Sequence, residues 1–151
     1  MGNLWSSTPR ECVFCKVLQS LESDENSKDT KILKYNETFA IFSDIKPAAE
    51  HHYLVVPRNH ISNPKTLQGK EHANFVQEMY DFALSYVTEL GLEKQEVRFG
   101  FRMPPFISVE HLHLHIISPF SNMSFVNSNL FKENSWYFLS PETLIKKLQT
   151  S

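Results

Sequence analysis

Glycine is scarce in this chain. Its 151 residues include only Gly2, Gly69, Gly91 and Gly100, and no two of them have the spacing of a dinucleotide or P-loop phosphate cradle. Any phosphate the chain handles must therefore be held by side chains. Charge of one sign is also lacking, with 15 Lys and Arg against 17 Asp and Glu and a net charge of −2. Neither a basic nucleic-acid face nor an acidic tail is expected. Cysteine is limited to Cys12 and Cys15. Three residues apart, they cannot staple distant parts of a small secreted fold, and a lone C-x-x-C points to a metal or redox site in a reducing compartment. No apolar run is long enough to span a membrane, and no signal-peptide core opens the chain. The expected setting is intracellular, in the cytoplasm and also the nucleus.

What remains is aromatic and histidine-rich. Hydrophobic residues make up 41% of the chain, with 12 Phe, enough for one packed domain of this length. Residues 1–11 have little pattern and read as a loose arm, leaving one domain over 12–151 with a C-terminal extension from about 120. Met1-Gly2-Asn3-Leu4-Trp5-Ser6 matches the short N-myristoylation pattern at Gly2, but no polybasic patch follows. A membrane is not otherwise an expected partner.

Periodicity gives the elements. A short helix is expected within 12–21, then a polar loop to Lys28. Ile32–Tyr35 and Thr38–Ser43 read as a hairpin, and His52–Pro57 as a further strand. Ala73, Val76, Met79, Tyr80, Ala83, Val87 and Leu90 recur at helical steps, with Gly91 as the cap. Glu96–Phe101 and His111–Ser118 return to strand, and Ser140-Pro141-Glu142 opens a short helix to about Leu148. The fold class is α+β: a largely antiparallel sheet, one long amphipathic helix and a short C-terminal helix.

His111-Leu112-His113-Leu114-His115 alternates with period two, placing three imidazoles on one face of a strand and leucines on the other. Three readings compete: a satisfied structural set, a three-histidine metal site, and nucleophilic catalysis at phosphorus. Imidazole suits the last because its pKa lies near working pH, so one ring can attack while a neighbour donates. Of the tandem His51 and His52, alternation allows only one to face such a site.

Ser108-x-x-His111-Leu112-His113-Leu114-His115, preceded by Asp44-Ile45-Lys46-Pro47 and by His52-Tyr53-Leu54-Val55-Val56-Pro57-Arg58-Asn59-His60-Ile61, is similar to the signature of the histidine triad family of nucleotidyl hydrolases and transferases. The resemblance covers about residues 11–120. It implies a normally dimeric α+β fold that cleaves adenosine 5′-monophosphoramidates without a catalytic cofactor, its partners being purine nucleoside 5′-monophosphate derivatives. His113 would be the transiently adenylylated nucleophile, with His111 and His115 around the α-phosphate and Ser108 donating to the phosphate or leaving group. Asp44 matches the carboxylate that binds the ribose, Ile45 an apolar contact beneath sugar or base, and Phe14 and Phe42 the purine wall. Plain core packing explains these last three equally well. His52 matches the fourth family histidine. Arg102 stands where the family pattern has His, as a cation that would hold phosphate, reach the leaving group or stay solvated. Relatives with the cysteine pair bind a structural zinc, which here would use Cys12, Cys15, His52 and His111; His60 and His72 are left as surface or structural residues. Two rivals remain. One is a deadenylase of 5′-adenylated nucleic acid, as in the aprataxin branch of the family, which the missing basic stripe argues against. The other is a nucleotide- or metal-binding interaction module without turnover.

Overall fold

The computed structural model describes residues 12–21 and 30–151. The arm expected at 1–11, Gly2 included, and the loop expected at 22–28 lie outside the described residues. In chain order the elements are α1 (Val13–Leu18), β1 (Ile32–Tyr35), β2 (Phe39–Ser43), β3 (His51–Pro57), α2 (Gly69–Glu89), β4 (Arg98–Arg102), β5 (Leu114–Ser118), α3 (Phe125–Leu130), β6 (Phe138–Leu139) and α4 (Pro141–Gln149). The strands form one six-stranded sheet in the order β1-β2-β3-β5-β4-β6, every pairing antiparallel. This is the expected α+β class.

One face of the sheet is closed by α2. Its stripe of Ala73, Val76, Met79, Ala83 and Val87 packs on Phe39, Ile41, Val55, Leu112, Leu114 and Ile116, with Leu144 and Leu148 of α4 joining the same core. Burying each large side chain of this set stabilises the fold by roughly 1.5–3 kcal/mol. Gly91 ends α2 with a φ of +70°, the left-handed geometry a helix stop favours. At α4, Ser140 accepts from the Thr143 N–H and proline occupies the first turn. No described helix is long and apolar enough to cross a membrane.

The other face carries the histidines. Phe42 stands opposite Leu54, Leu54 opposite His115, and His115 opposite Gly100. Directly opposed residues share a face, so this row sets the floor of the site. Cys12, at the N-cap of α1, and Phe14, Val17 and Leu18 within it cover its β2–β3 side together with Ala40, Phe42 and Val56. Phe131 and Phe138 cover its far side beside Ile117, Ala48 and Met123.

Boundaries differ from expectation in places. β5 begins at Leu114, so His111 and His113 lie in the segment before it, which the Leu112 N–H ties to the Ile61 carbonyl at 2.6 Å. Lys94–Glu96 form a 3-10 turn, and β4 starts only at Arg98. Helix α3, at six residues, and strand β6, at two, are too short to leave a periodic signal. The segment after residue 120 is thereby built into the same sheet and core, through β6 against β4 and α4 against α2.

Gly100 is required by packing. A Cβ placed there would lie 2.2 Å from the Phe138 ring, which is almost fully buried. Gly100→Ala is expected to cost about 1–3 kcal/mol, as overpacking does, and adding Phe138→Leu should recover part of that loss. Urea midpoints of the two variants check this; an unchanged midpoint for Gly100→Ala would contradict the stacked arrangement.

Candidate active site

Main-chain groups fix the protonation of the imidazoles. His113 Nδ1 lies 2.6 Å from the carbonyl oxygen of His111. A carbonyl only accepts, so Nδ1 carries the hydrogen and Nε2 keeps a free lone pair. His111 Nε2 donates to the Pro57 carbonyl at 2.8 Å, leaving its Nδ1 lone pair directed at Cys12. His52 Nδ1 accepts from the Ala48 N–H at 2.9 Å, so its hydrogen sits on Nε2. That Nε2–H donates to His115 Nδ1 at 2.8 Å and lies 3.5 Å from Asp44 Oδ2. His115 must then carry its own hydrogen on Nε2, a buried donor without a partner among the described residues. The ring centroids of His113 and His115 are 5.0 Å apart. A neutral nucleophilic nitrogen thus stands beside an unsatisfied N–H donor, the pair that attack at phosphorus with stabilisation of an oxyanion requires.

Alternation along β3 resolves the tandem histidines as expected from one face only. His52 meets the triad, while His51 turns to the Tyr53 hydroxyl at 2.7 Å on the opposite face. The Phe14 ring stands edge-on to His113, centroids 5.2 Å apart, and to Phe42 at 5.1 Å. Both phenylalanines are buried core residues, and Phe14 is a neighbour of the triad as well, whereas Ile45 is 82% exposed. Ser108 is exposed in the turn ahead of the triad and makes no hydrogen bond to it among the described residues. Arg102 flanks His113 from β4, its guanidinium over the Phe131 ring at 5.3 Å. Phe131 itself contacts both His115 and His52 and left no recognisable signal in the sequence.

The expected metal ligands require one correction. Cys12, Cys15, His60 and His111 bring four donor atoms within 4.8 Å of one another, and His52 is not among them. His52 is committed to Ala48 and His115, whereas His60, just beyond the end of β3, faces Cys15. Cys12 Sγ to His111 Nδ1 is 3.3 Å, Cys15 Sγ to His60 Nδ1 3.3 Å and Cys15 Sγ to His111 Nδ1 3.5 Å. Tetrahedral zinc, with bonds of about 2.0 Å to nitrogen and 2.3 Å to sulfur, needs ligand separations of about 3.5 Å, so the donor set fits. Cys12 also accepts from the Cys15 N–H, which holds the two thiols on one turn of α1. Burial first, and then the neighbouring Cys12, push the Cys15 thiol up to about 12, a cost that a bound cation would offset.

Burial, foremost, pushes every imidazole of the cluster down from its ordinary value: His111 to about 4, and His52, His60, His113 and His115 in the same direction. Mutual repulsion among the rings and the charge of Arg102 add to this at His115. All five are therefore neutral at pH 7, consistent with the hydrogen positions above.

Comparison with known proteins finds relatives of both the sequence and the fold. Residues 11–131 match the family model described as scavenger mRNA decapping enzyme C-term binding. An adenosine 5′-monophosphoramidase HINT3 of Xenopus tropicalis is 35% identical over 141 residues, covering 93% of this chain and 88% of the relative. Its Mus musculus counterpart is 37% identical over 139 residues, covering 91% and 81%. A solved HIT family hydrolase from Clostridium thermocellum superposes with a TM-score of 0.61 at 26% identity, covering 74% of this chain and 92% of that one.

Buried neutral histidines make stability pH-dependent with a definite sign. Their folded-state pKa values lie below the unfolded value of 6.5, so the unfolded chain takes up protons first as pH falls. Stability is complete above about pH 6.5 and is lost between there and about pH 4, with His111 alone worth on the order of 3 kcal/mol. Thermal melts of chelator-stripped protein should fall by several degrees from pH 7.5 to pH 5. A flat profile would contradict the neutral cluster.

Proposed function

The chain belongs to the histidine triad family, and from that premise we propose that it is a nucleotide phosphoramidase, hydrolysing the P–N bond of adenosine 5′-monophosphoramidates. The observation that carries the reading is the free Nε2 of His113, held by its Nδ1–H bond to the His111 carbonyl. In the proposed reaction this nitrogen bonds to phosphorus and the amine departs with a proton. Water then splits the phosphorus–histidine bond, releasing AMP. His115 Nε2–H would donate to a phosphoryl oxygen, which supplies the partner this buried group lacks. Ser108, three residues ahead of His111, would donate to the phosphate or the leaving group. The purine would lie against Phe14 and Phe42 with Ile45 beneath, and Asp44 would accept from the ribose hydroxyls. The expected homodimer and cytoplasmic and nuclear setting belong to the same proposal.

His113→Ala should fold normally and bind AMP, yet release AMP from adenosine 5′-phosphoramidate at least about a thousandfold more slowly, as loss of a nucleophile requires. Near wild-type turnover by this variant would overturn the covalent route.

A structural zinc ion held by Cys12, Cys15, His60 and His111 is part of the proposal, supported by the donor separations. When bound, it would tie α1 to β3 and the triad; His113 and His115 are outside the donor set, so turnover should persist in EDTA. Elemental analysis should find one zinc per chain, absent from His60→Ala and retained in His52→Ala. Chelation should lower the melting temperature before it lowers the rate. Equal loss in both histidine variants, or no zinc in the wild type, would sink this ligand set.

A further inference from the structure

His111 Nδ1 depends on sulfur. Its ring is fully buried, and its Nε2–H is given to the Pro57 carbonyl, so Nδ1 carries only a lone pair. Among the described residues, the atoms in hydrogen-bond range of it are Cys12 Sγ at 3.3 Å and Cys15 Sγ at 3.5 Å. A buried lone pair needs a hydrogen or a cation. A thiol S–H supplies the first, and a zinc ion on two thiolates would supply the second. The sulfurs of a disulfide supply neither.

The two sulfurs are placed to form one. Cys12 caps α1, Cys15 lies one turn on, and the Cys15 N–H donates to Cys12 Sγ at 3.4 Å. Their Sγ atoms lie within 4.8 Å of each other, and neither is paired. C-x-x-C is the spacing that dithiol oxidoreductases close and reopen. Cys15 is partly exposed, which gives a small oxidant access.

Phe14 stands between them in sequence. Its ring is edge-on to His111 at 5.8 Å, to His113 at 5.2 Å and to Phe42 at 5.1 Å. The sulfur contacts with His111 and His60 are polar ties that join this turn of α1 to the triad segment and to the chain after β3. What happens to the sulfurs therefore bears on the Phe14 wall.

We propose that Cys12 and Cys15 form a reversible disulfide that loosens α1 and its Phe14, making nucleotide binding redox-dependent. The effect on nucleotide rests on the proposed nucleoside seat at Phe14; the disulfide itself does not. The oxidant is a low-molecular-weight disulfide. The Cys15 sulfur, as thiolate, attacks it and releases one thiol; the Cys12 sulfur then attacks the mixed disulfide and releases the second. One S–S bond breaks in the oxidant and one forms in the protein, and the two cysteine protons end on the two released thiols. Burial keeps the Cys15 thiol protonated, which slows the attack without moving the end point. His111 Nδ1 is then a buried acceptor without a donor, which opposes the docked position of α1.

The test equilibrates the chelator-stripped full chain at pH 8 with reduced glutathione or with glutathione disulfide. Intact mass after alkylation should show two modified thiols in the first and an unmodified Cys12–Cys15 disulfide in the second. On oxidation, hydrogen exchange in α1 should quicken, with that of α2 unchanged, and the Kd for AMP should rise, each by at least about tenfold. Dithiothreitol should reverse both. Cys15→Ser, which cannot close the disulfide, should show neither change; should it fail to fold, reversal by dithiothreitol makes the same comparison. Two alkylated thiols or glutathione adducts alone under oxidation overturn the inference, as does a disulfide that leaves α1 exchange or the AMP Kd unchanged. A reduced chain that binds no AMP would instead remove the nucleotide reading, with mass and exchange still deciding the switch at α1.

Discussion

Three main-chain groups decide what the imidazoles can do. The Pro57 carbonyl takes the Nε2 hydrogen of His111, the His111 carbonyl takes the Nδ1 hydrogen of His113, and the Ala48 N–H occupies Nδ1 of His52. Each is an ordinary backbone group whose position follows from strand register and turn geometry. Together they point one lone pair at the thiols, another at open space and a donor at His115. The chemistry of this face is therefore set by the path of the chain, and side chains with freely chosen tautomers are not needed to explain it.

The sheet lets this polar cluster exist. Five neutral imidazoles in low dielectric are tolerable only because the opposite face buries Leu112, Leu114 and Ile116 against α2, in the same run of sequence that carries the triad. Alternation makes one peptide both core and site. The same alternation on β3 sends His52 to the triad and His51 away from it, and the directly opposed Gly100 leaves room for Phe138 beside His115.

Much of this was legible in the sequence because it rests on period. The leucine–histidine alternation and the stripe on α2 are local patterns, and they locate the strand β5, short of its first residues, and the long helix. His60 was not legible as a neighbour of the cysteines, since it depends on the chain turning after Pro57 and bringing it to Cys15, a contact across 45 residues. His52 was assigned to the cysteines by resemblance, but its hydrogen bonds are taken up by Ala48 and His115. Phe131 and β6 were invisible for another reason: short elements act through tertiary contact and leave no repeat to count. Arg102 could be noticed as a departure from pattern, yet its seat over the Phe131 ring emerges only in the fold.

Helix α1 reaches the triad across a long stretch of chain, with Cys12 and His111 separated by 99 residues. Closing a loop of that length in the unfolded chain costs about 4 kcal/mol of entropy, a cost shared with the strand pairings that lie inside it. Contacts of such sequence separation are expected to form late, and a helix of six residues is expected to open at a lower free energy than the whole fold. Such an opening would uncover one wall of the site while strands and α2 stay formed. The contacts of the Cys12 and Cys15 thiols with His111 and His60 thus bear on how often that wall of the triad is covered, independent of the reactivity of His113.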